Sequence, residues 1–201
     1  MTYIIMADGK ERRWKNHQGI HKWEIRIGQQ TLLERTCSIL RRMDPTARIY
    51  ITSHNPALQI EGAIRHEPEN NLLEVDRFTR ELIKPDVCFL YGDSYYSEES
   101  LACIMQQQTG SVLVFGNSRK IFAIKIADAD LFLHHLDQVR DLFLREQIRE
   151  CIGWEVYHAI QGMPLESREI GDGFIRLDDQ TRDFNTPEDW DAYQAEHKIE
   201  R

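Results

Sequence analysis

Cations and carboxylates gather where short apolar runs end. Tyr3 to Ala7 leads into Asp8-Gly9 and then Lys10, Arg12 and Arg13, with a further lysine at Lys22. Val87 to Tyr91 leads into Gly92-Asp93, and late in the chain Asp183 and Asn185 precede Thr186-Pro187. In open α/β sheets, ligands bind beyond the carboxyl ends of the strands. Oxygen donors hold Mg2+ and cations hold phosphates, so these side chains together suit a metal-bound nucleotide. Between Lys10 and Arg26 six cations face Glu11 and Glu24, a local +4 in a chain of net charge −8. The bland alternatives are a solvated charge run and aspartates that cap turns. Placement directly after a buried-looking strand favours an anionic ligand, because anions respond to local potential and not to net charge.

Several elements must position these groups. Tyr3–Ala7 reads as a buried parallel strand, Arg48–Thr52 as a second and Ala63–Arg65 as a short third. Asp8 to Gly28 is a loop too long to be a plain connection, and Ile25–Ile27 is a brief extended piece within it. Thr31 and Glu34 have capping-box spacing at the start of a helix that ends at Asp44-Pro45. The pattern predicts a helix over Leu72–Ile83, with Val75, Phe78 and Leu82 on one face, a strand over Val87–Tyr91 and a helix over Ser97–Gln107. Strand and helix alternate through the first half, which argues a mostly parallel α/β sheet. In the second half, Ser111–Phe115 and Lys120–Ile126 predict a hairpin. Asp128 to Gln161 reads as helical with a break near Gly153, and Phe174–Leu177 as a strand. Thr186, Pro187 and Asp189 mark a helix start.

The chain has 201 residues, 41% hydrophobic and 29% charged, and these values are ordinary for one soluble globular domain. No apolar run reaches the roughly 20 residues that span a bilayer. No basic n-region precedes the first strand, so neither membrane insertion nor a signal peptide is expected and the location is read as cytoplasmic. An acidic chain is a poor generic nucleic-acid binder. Cys37, Cys88, Cys103 and Cys151 form no paired motif and read as reduced, buried thiols. Trp14 and Trp23 flank the basic loop, either to stack on a ligand or simply to pack.

Together these segments resemble the nucleotidyltransferase superfamily. Ala7-Asp8-Gly9-Lys10-Glu11-Arg12-Arg13 with His21-Lys22 is similar to its Ala-Ala-Gly-x-Gly-Thr/Ser-Arg signature and the following Pro-Lys. Ile27-Gly28 with Thr31-Leu32-Leu33-Glu34-Arg35 resembles its first helix start. Tyr91-Gly92-Asp93 resembles its metal-binding Gly-Asp, and Asp183-Phe184-Asn185-Thr186-Pro187-Glu188-Asp189 its late acidic motif. The four occur in family order across nearly the whole chain. Met6 to Lys10, Asn70-Asn71 and Asp76-Arg77-Phe78 most resemble cytidylyltransferase-like members from bacterial surface-polysaccharide loci.

The resemblance implies a Rossmann-like three-layer fold with a mainly parallel central sheet and a β-hairpin/helix insertion in the second half. Residues 1–110 would be the nucleotide-binding half and 111–201 the acceptor-binding half of a single domain. The implied activity is Mg2+-dependent transfer of an NMP unit from an NTP, with CTP favoured, to a small phosphorylated acceptor such as a sugar phosphate. Ala7, Asp8, Gly9, Lys10 and Arg12 would line the nucleotide, and Asn70 and Asn71 would lie near the base. Arg13 and Lys22 would be catalytic. Asp93 would bind Mg2+, with Asn185 or Asp183 as the second ligand. A homodimer is one expectation, with the hairpin and the helix after Asp128 as contacts. Three departures stand out: Glu11 at the second glycine, Arg12 at the Thr/Ser position and His21 at the proline. They raise the alternative of a weakened relative that binds nucleotide or a partner protein without turnover. A glycosyltransferase ranks last, because Asp93-Ser94-Tyr95 lacks a second aspartate.

Overall fold

A computed structural model of the chain describes residues 1–11 and 13–197, so Arg12 lies outside the described residues. In chain order the elements are β1 (Thr2–Met6), a ribbon of β2 (Arg26–Ile27) and β3 (Gln30–Thr31), α1 (Leu32–Met43), β4 (Arg48–Thr52) and β5 (Ile64–His66). Next come β6 (Val87–Tyr91), β7 (Ser94–Tyr95), α2 (Glu98–Gln106), β8 (Val112–Gly116) and β9 (Ile121–Ile126). The chain continues with α3 (Ala129–Leu144), α4 (Gly153–Gln161), β10 (Phe174–Arg176), β11 (Arg182–Asp183) and α5 (Pro187–His197).

Seven strands form one sheet in the order β10-β8-β9-β6-β1-β4-β5. β1 lies parallel to both β4 and β6, while β9 runs antiparallel to β6 and β8. Alternation along β1 sorts its side chains to two faces. Tyr3 and Ile5 join Leu33, Cys37, Leu40, Leu101 and Ile104 on the face covered by α1 and α2. Ile4 and Met6 join Phe132, Val139, Trp154 and Val156 on the face covered by α3 and α4. Both faces are covered, so β1 and β6 need continuous apolar runs, and those runs are what makes them legible in the sequence. The hairpin strands β8 and β9 are largely buried within the sheet.

The helix expected over Leu72–Ile83 is two single 3-10 turns, Glu74–Arg77 and Arg80–Leu82. Local bonds compete with the helix here. Asp76 accepts from the Leu73 N–H at 2.8 Å, and Thr79 Oγ1 donates to the Arg77 carbonyl at 3.3 Å. Asp76 also pairs with Arg140 on α3 at 3.0 Å, which draws the segment onto the helix layer. Val75 and Phe78 are buried as the periodicity implied. Gly153 starts α4 instead of interrupting a longer helix; a Cβ there would meet Tyr91 Oη at 2.8 Å. The thiols of Cys37, Cys88 and Cys151 are buried, and burial raises their pKa values to about 12, 12 and 11, which makes them poor nucleophiles.

Asp179 ties the strand end after β10 to the start of α2. It accepts from Ser97 Oγ at 2.5 Å, Ser100 Oγ at 2.7 Å and the Thr181 N–H at 2.8 Å. Burial opposes its charge, but these donors outweigh burial and hold its pKa below the ordinary 3.8. A depressed carboxylate stabilises the fold above its unfolded pKa, and that stabilisation is lost as pH falls through the lower folded value. Asp179→Ala should therefore cost about 1–3 kcal/mol at pH 7. Chemical denaturation should show the gap from wild type closing below pH 3.8. A gap that stays constant into acid would refute this assignment.

Candidate functional site

A cavity of about 770 Å3 opens at the carboxyl ends of β1 and β6. Ala7, Asp8, Gly9, Lys10, Glu11, Arg13, Lys22, Asn71, Asp93, Asp183 and Asn185 all line it. Asn70 lines an adjoining hollow with Asp8, Gly9, Lys10 and Asn71. Every candidate from the sequence except Arg12 therefore faces one of two contiguous spaces.

Backbone register brings the acidic groups together. The Gly92 N–H donates to the Met6 carbonyl at 3.0 Å, and a Cβ at Gly92 would meet that oxygen at 2.7 Å. Only glycine lets β6 turn so closely past β1 and set Asp93 beside Ala7. β11 then pairs with β7, with Asp183 opposite Ser94, and the Phe184 N–H donates to the Asp93 carbonyl at 2.9 Å. Asn185 follows, its N–H held by Asp189 Oδ2 at 3.0 Å at the start of α5. Neither two-residue strand has enough length to show a period in the sequence.

Lys22 is only 8% exposed, and its charge meets this acidic edge. Its Nζ lies 3.0 Å from Asp93 Oδ2 and 3.3 Å from Asn185 Oδ1. Arg13 donates to the same Asn185 oxygen at 2.9 Å. Lys120 Nζ lies 2.8 Å from Asp183 Oδ2, and the Asn185 amide donates to Asp183 as well. Two cations on one amide oxygen dictate which way Asn185 points. One ammonium nitrogen reaches both Asp93 and Asn185, so their oxygens converge on a single cation position. Two carboxylates and an amide are hard oxygen donors suited to Mg2+, with waters or phosphate oxygens completing an octahedron. Among the described residues no group of three His, Cys, Asp or Glu forms an all-protein cage.

The loop carrying Lys22 is anchored by packing. Trp14 is fully buried with Ile25, Leu32, Phe184, Trp190 and Tyr193, so it packs and is not a ligand platform. Four of the seven described non-glycine residues with positive φ lie in this loop: Glu11, Lys15, Asn16 and Gln18. Such conformations cost of order 1–3 kcal/mol each and persist only where surroundings impose them. Glu11, at φ 46°, turns its carboxylate toward the loop's far end. Oε1 accepts from the Lys22 N–H at 3.0 Å, and Oε2 lies 3.1 Å from His21 Nδ1. Two of the departures from the family pattern are thus partners, and together they clamp the backbone that carries Lys22. Trp23 lines the cavity and stacks on His21 at 5.9 Å.

Asp8 is engaged away from Lys22. It accepts from the His54 N–H at 2.9 Å, faces His54 Nδ1 at 2.6 Å and accepts from the Asn71 amide at 2.5 Å. Lys10 Nζ donates to the Leu72 carbonyl at 3.0 Å. The sequence assigned no role to Arg77, which packs against Gly9 with 3.4 Å to a built Cβ and lies 5.6 Å over Tyr91. Burial opposes its charge, but Glu74, with Tyr91 and Asp93, outweighs burial and raises its pKa. Arg119, Lys120, Arg168 and Glu150 also line the cavity, and these too were missed. The available signal was topological. A hairpin strand running antiparallel to β6 must put its turn at the same rim as Asp93.

If Glu11 clamps the loop, removing its carboxylate should free the Lys22 amide. Glu11→Ala keeps the positive-φ cost, whereas Glu11→Gly removes it; both delete the acceptor. Hydrogen exchange at the Lys22 N–H should quicken roughly tenfold or more in both, as a hydrogen bond to a charged group is worth about 1.5–3 kcal/mol. Unchanged exchange in both variants would dismiss the clamp.

No family model matches the chain, and no curated protein sequence matches it. Solved structures do. The Streptococcus pneumoniae CTP:phosphocholine cytidylyltransferase LicC is 11% identical with a TM-score of 0.61, covering 98% of each chain. The 2-C-methyl-D-erythritol 4-phosphate cytidylyltransferase of Thermus thermophilus is 16% identical at 0.58, again over 98% of each. A nucleoside-diphosphate-sugar pyrophosphorylase from Vibrio cholerae is 12% identical at 0.65, over 97% of this chain and 100% of its own. A mostly parallel sheet between helix layers, matched end to end by such enzymes, identifies the chain as having the Rossmann-like nucleotidyltransferase fold.

Proposed function

We propose that the protein is a Mg2+-dependent nucleotidyltransferase. It moves an NMP unit from an NTP to a small phosphorylated acceptor such as a sugar phosphate and releases pyrophosphate. The observation that carries this reading is the convergence of Lys22, Arg13, Asp93 and Asn185 on one cation position in a strand-end cavity. In the reaction an acceptor phosphate oxygen bonds to the α-phosphorus. The bond to the bridging oxygen breaks, and pyrophosphate leaves with the electron pair. Such transfer needs positioning and charge neutralisation more than covalent help from the protein.

Asp93 and Asn185, with Asp183 behind them, would hold Mg2+, which when bound screens phosphate charge and orients the α-phosphate. Lys22 would meet the charge that builds on the α-phosphate oxygens. Ala7, Gly9, Lys10 and Arg13, with Arg12 and Arg77, would follow the triphosphate. Asn70 and Asn71 would border the base. Asn71 spends its amide hydrogens on Asp8, so its remaining group is an acceptor. That suits a base with an exocyclic amine, which cytosine, adenine and guanine carry and uracil and thymine lack; CTP is the donor favoured by the sequence resemblance. Residues 1–110 would serve the nucleotide, and the second half the acceptor, with the late metal-site motif at Asp183 and Asn185. α4 begins at the cavity without a side-chain cap, beside Arg168, which Glu155 holds at 3.4 Å. Backbone donors and a fixed guanidinium there favour an anionic acceptor.

Pyrophosphate release should appear with CTP, Mg2+ and one member of a panel of sugar and small-molecule phosphates. Lys22→Met should lower kcat by roughly a hundredfold or more, about 3 kcal/mol of barrier, by analogy with an oxyanion-hole donor. Silence across all NTPs and acceptors, with no nucleotide binding by calorimetry, would reject the proposal. Nucleotide binding without pyrophosphate would instead identify a relative that binds without turnover.

A further inference from the structure

We propose that His54 and Asp8 decide which bases the nucleotide site accepts, by locking the Asn71 amide with its oxygen turned toward the bound base. A base that carries an exocyclic amine is admitted. Uracil and thymine, which offer an oxygen at the same place, are turned away. This rests on the reading of Asn70 and Asn71 as the residues that border the base. Within it, His54 and Asp8 are positioning residues that act through Asn71.

The lock is a chain of three side chains beyond the carboxyl ends of β1 and β4. The Asp8 carboxylate is largely buried, and its Oδ1 accepts from the His54 backbone N–H at 2.9 Å. Its Oδ2 lies 2.6 Å from His54 Nδ1. A carboxylate only accepts, so that ring nitrogen carries the proton. Asn71 Nδ2 then donates twice to the same residue, to Asp8 Oδ2 at 2.5 Å and to the Asp8 carbonyl at 2.9 Å. Turning the amide over would set its oxygen against both of those oxygens. Its Oδ1 is therefore the group left for a ligand, and Asn71 lines both the cavity and the adjoining hollow. Asn70 is held in the opposite sense. Its Oδ1 accepts from the Leu72 N–H at 3.2 Å, which leaves its NH2 as the outward group. An acceptor beside a donor complements an exocyclic amine beside a ring nitrogen, the edge that cytosine presents. Uracil presents an oxygen beside an N–H and would meet like with like. Glu81 braces the loop that carries both amides. Its Oε1 accepts from the Glu69 N–H at 3.0 Å and lies 2.9 Å from His66 Nε2 at the end of β5. An alanine in place of Asp8, as in the signature that this loop resembles, would leave the Asn71 amide free to turn over and serve either base.

Calorimetric titration with CTP and with UTP, each with Mg2+ and without acceptor, tests this with no turnover. The two nucleotides share size and charge and differ only at this edge. Wild type should bind CTP at least about tenfold more tightly than UTP, because an acceptor facing an acceptor leaves both groups unpaired. His54→Ala should narrow that ratio severalfold, weakening CTP and strengthening UTP. Asp8→Ala should bring the two affinities close to each other. His54→Asn returns an N–H at the position of Nδ1 and should restore the wild-type ratio. A general loss of packing would lower both affinities together and would not be rescued in this way. The His54 side chain is about half exposed, so its variants put the fold at little risk and decide the matter should Asp8→Ala prove unstable. The lock is overturned if wild type binds CTP and UTP alike, or if the ratio is unmoved by both His54→Ala and Asp8→Ala. A ratio that responds as expected, with no pyrophosphate released from any acceptor, would refute the transfer reaction and leave this inference standing. Pyrophosphate release with CTP and UTP used alike would do the reverse.

Discussion

The charge on Lys22 is the constraint around which the site is arranged. An ammonium this far from solvent is costly unless it is paired. Its partners are 71 and 163 residues away in the chain, at Asp93 and Asn185. Bringing them within hydrogen-bond reach requires β6 beside β1, a glycine where β6 turns, and a two-residue ribbon that delivers Asn185. The buried cluster around Trp14 and Phe184 fixes the loop and the ribbon to each other, so lysine and acceptors are set by one packing unit. Apolar burial, non-directional by itself, here holds a polar geometry in register.

The same arrangement explains how an altered signature loop remains ordered. Glu11 occupies a left-handed backbone position that a glycine would take without cost. Its carboxylate closes onto the Lys22 N–H and His21. A proline preceding Lys22 would restrain the backbone through φ, whereas the Glu11–His21 pair restrains it through hydrogen bonds. The two solutions differ in kind but serve the same end, a fixed origin for the lysine side chain. The cost is a loop with several strained residues, which only tertiary packing can sustain.

The cavity joins contributions from both halves of the chain on one sheet. β9 runs antiparallel to β6, so the hairpin turn with Arg119 and Lys120 arrives at the rim that Asp93 already occupies. The segment after α4 returns Arg168 to the same wall, pinned by the fully buried carboxylate of Glu155. Cations are thus spread over a path from Lys10 to Arg168, interleaved with the carboxylates of Asp8, Glu74, Asp93, Glu150 and Asp183.

Much of this was legible in the residues alone. Apolar runs at β1, β4 and β6 reveal strands covered on both faces, and Thr31 with Glu34 reveals a helix start, because those signals are local. Asp93, Asn185 and Lys22 could be singled out because residue type and chain position sufficed. The helix expected over Leu72–Ile83 failed because Asp76 and Thr79 prefer bonds that its apolar spacing does not register. Arg77, Arg119, Lys120 and Arg168 went unread because an isolated cation has no period and no motif. Residue pattern was enough to mark the strands of the main sheet and the fold class. It took the folded chain to establish that Glu11 pairs with His21, that Lys22 rests on Asp93 and that the hairpin completes the cavity. Those contacts join distant segments, and which charge finds which partner depends on strand order and burial, which local patterning does not encode.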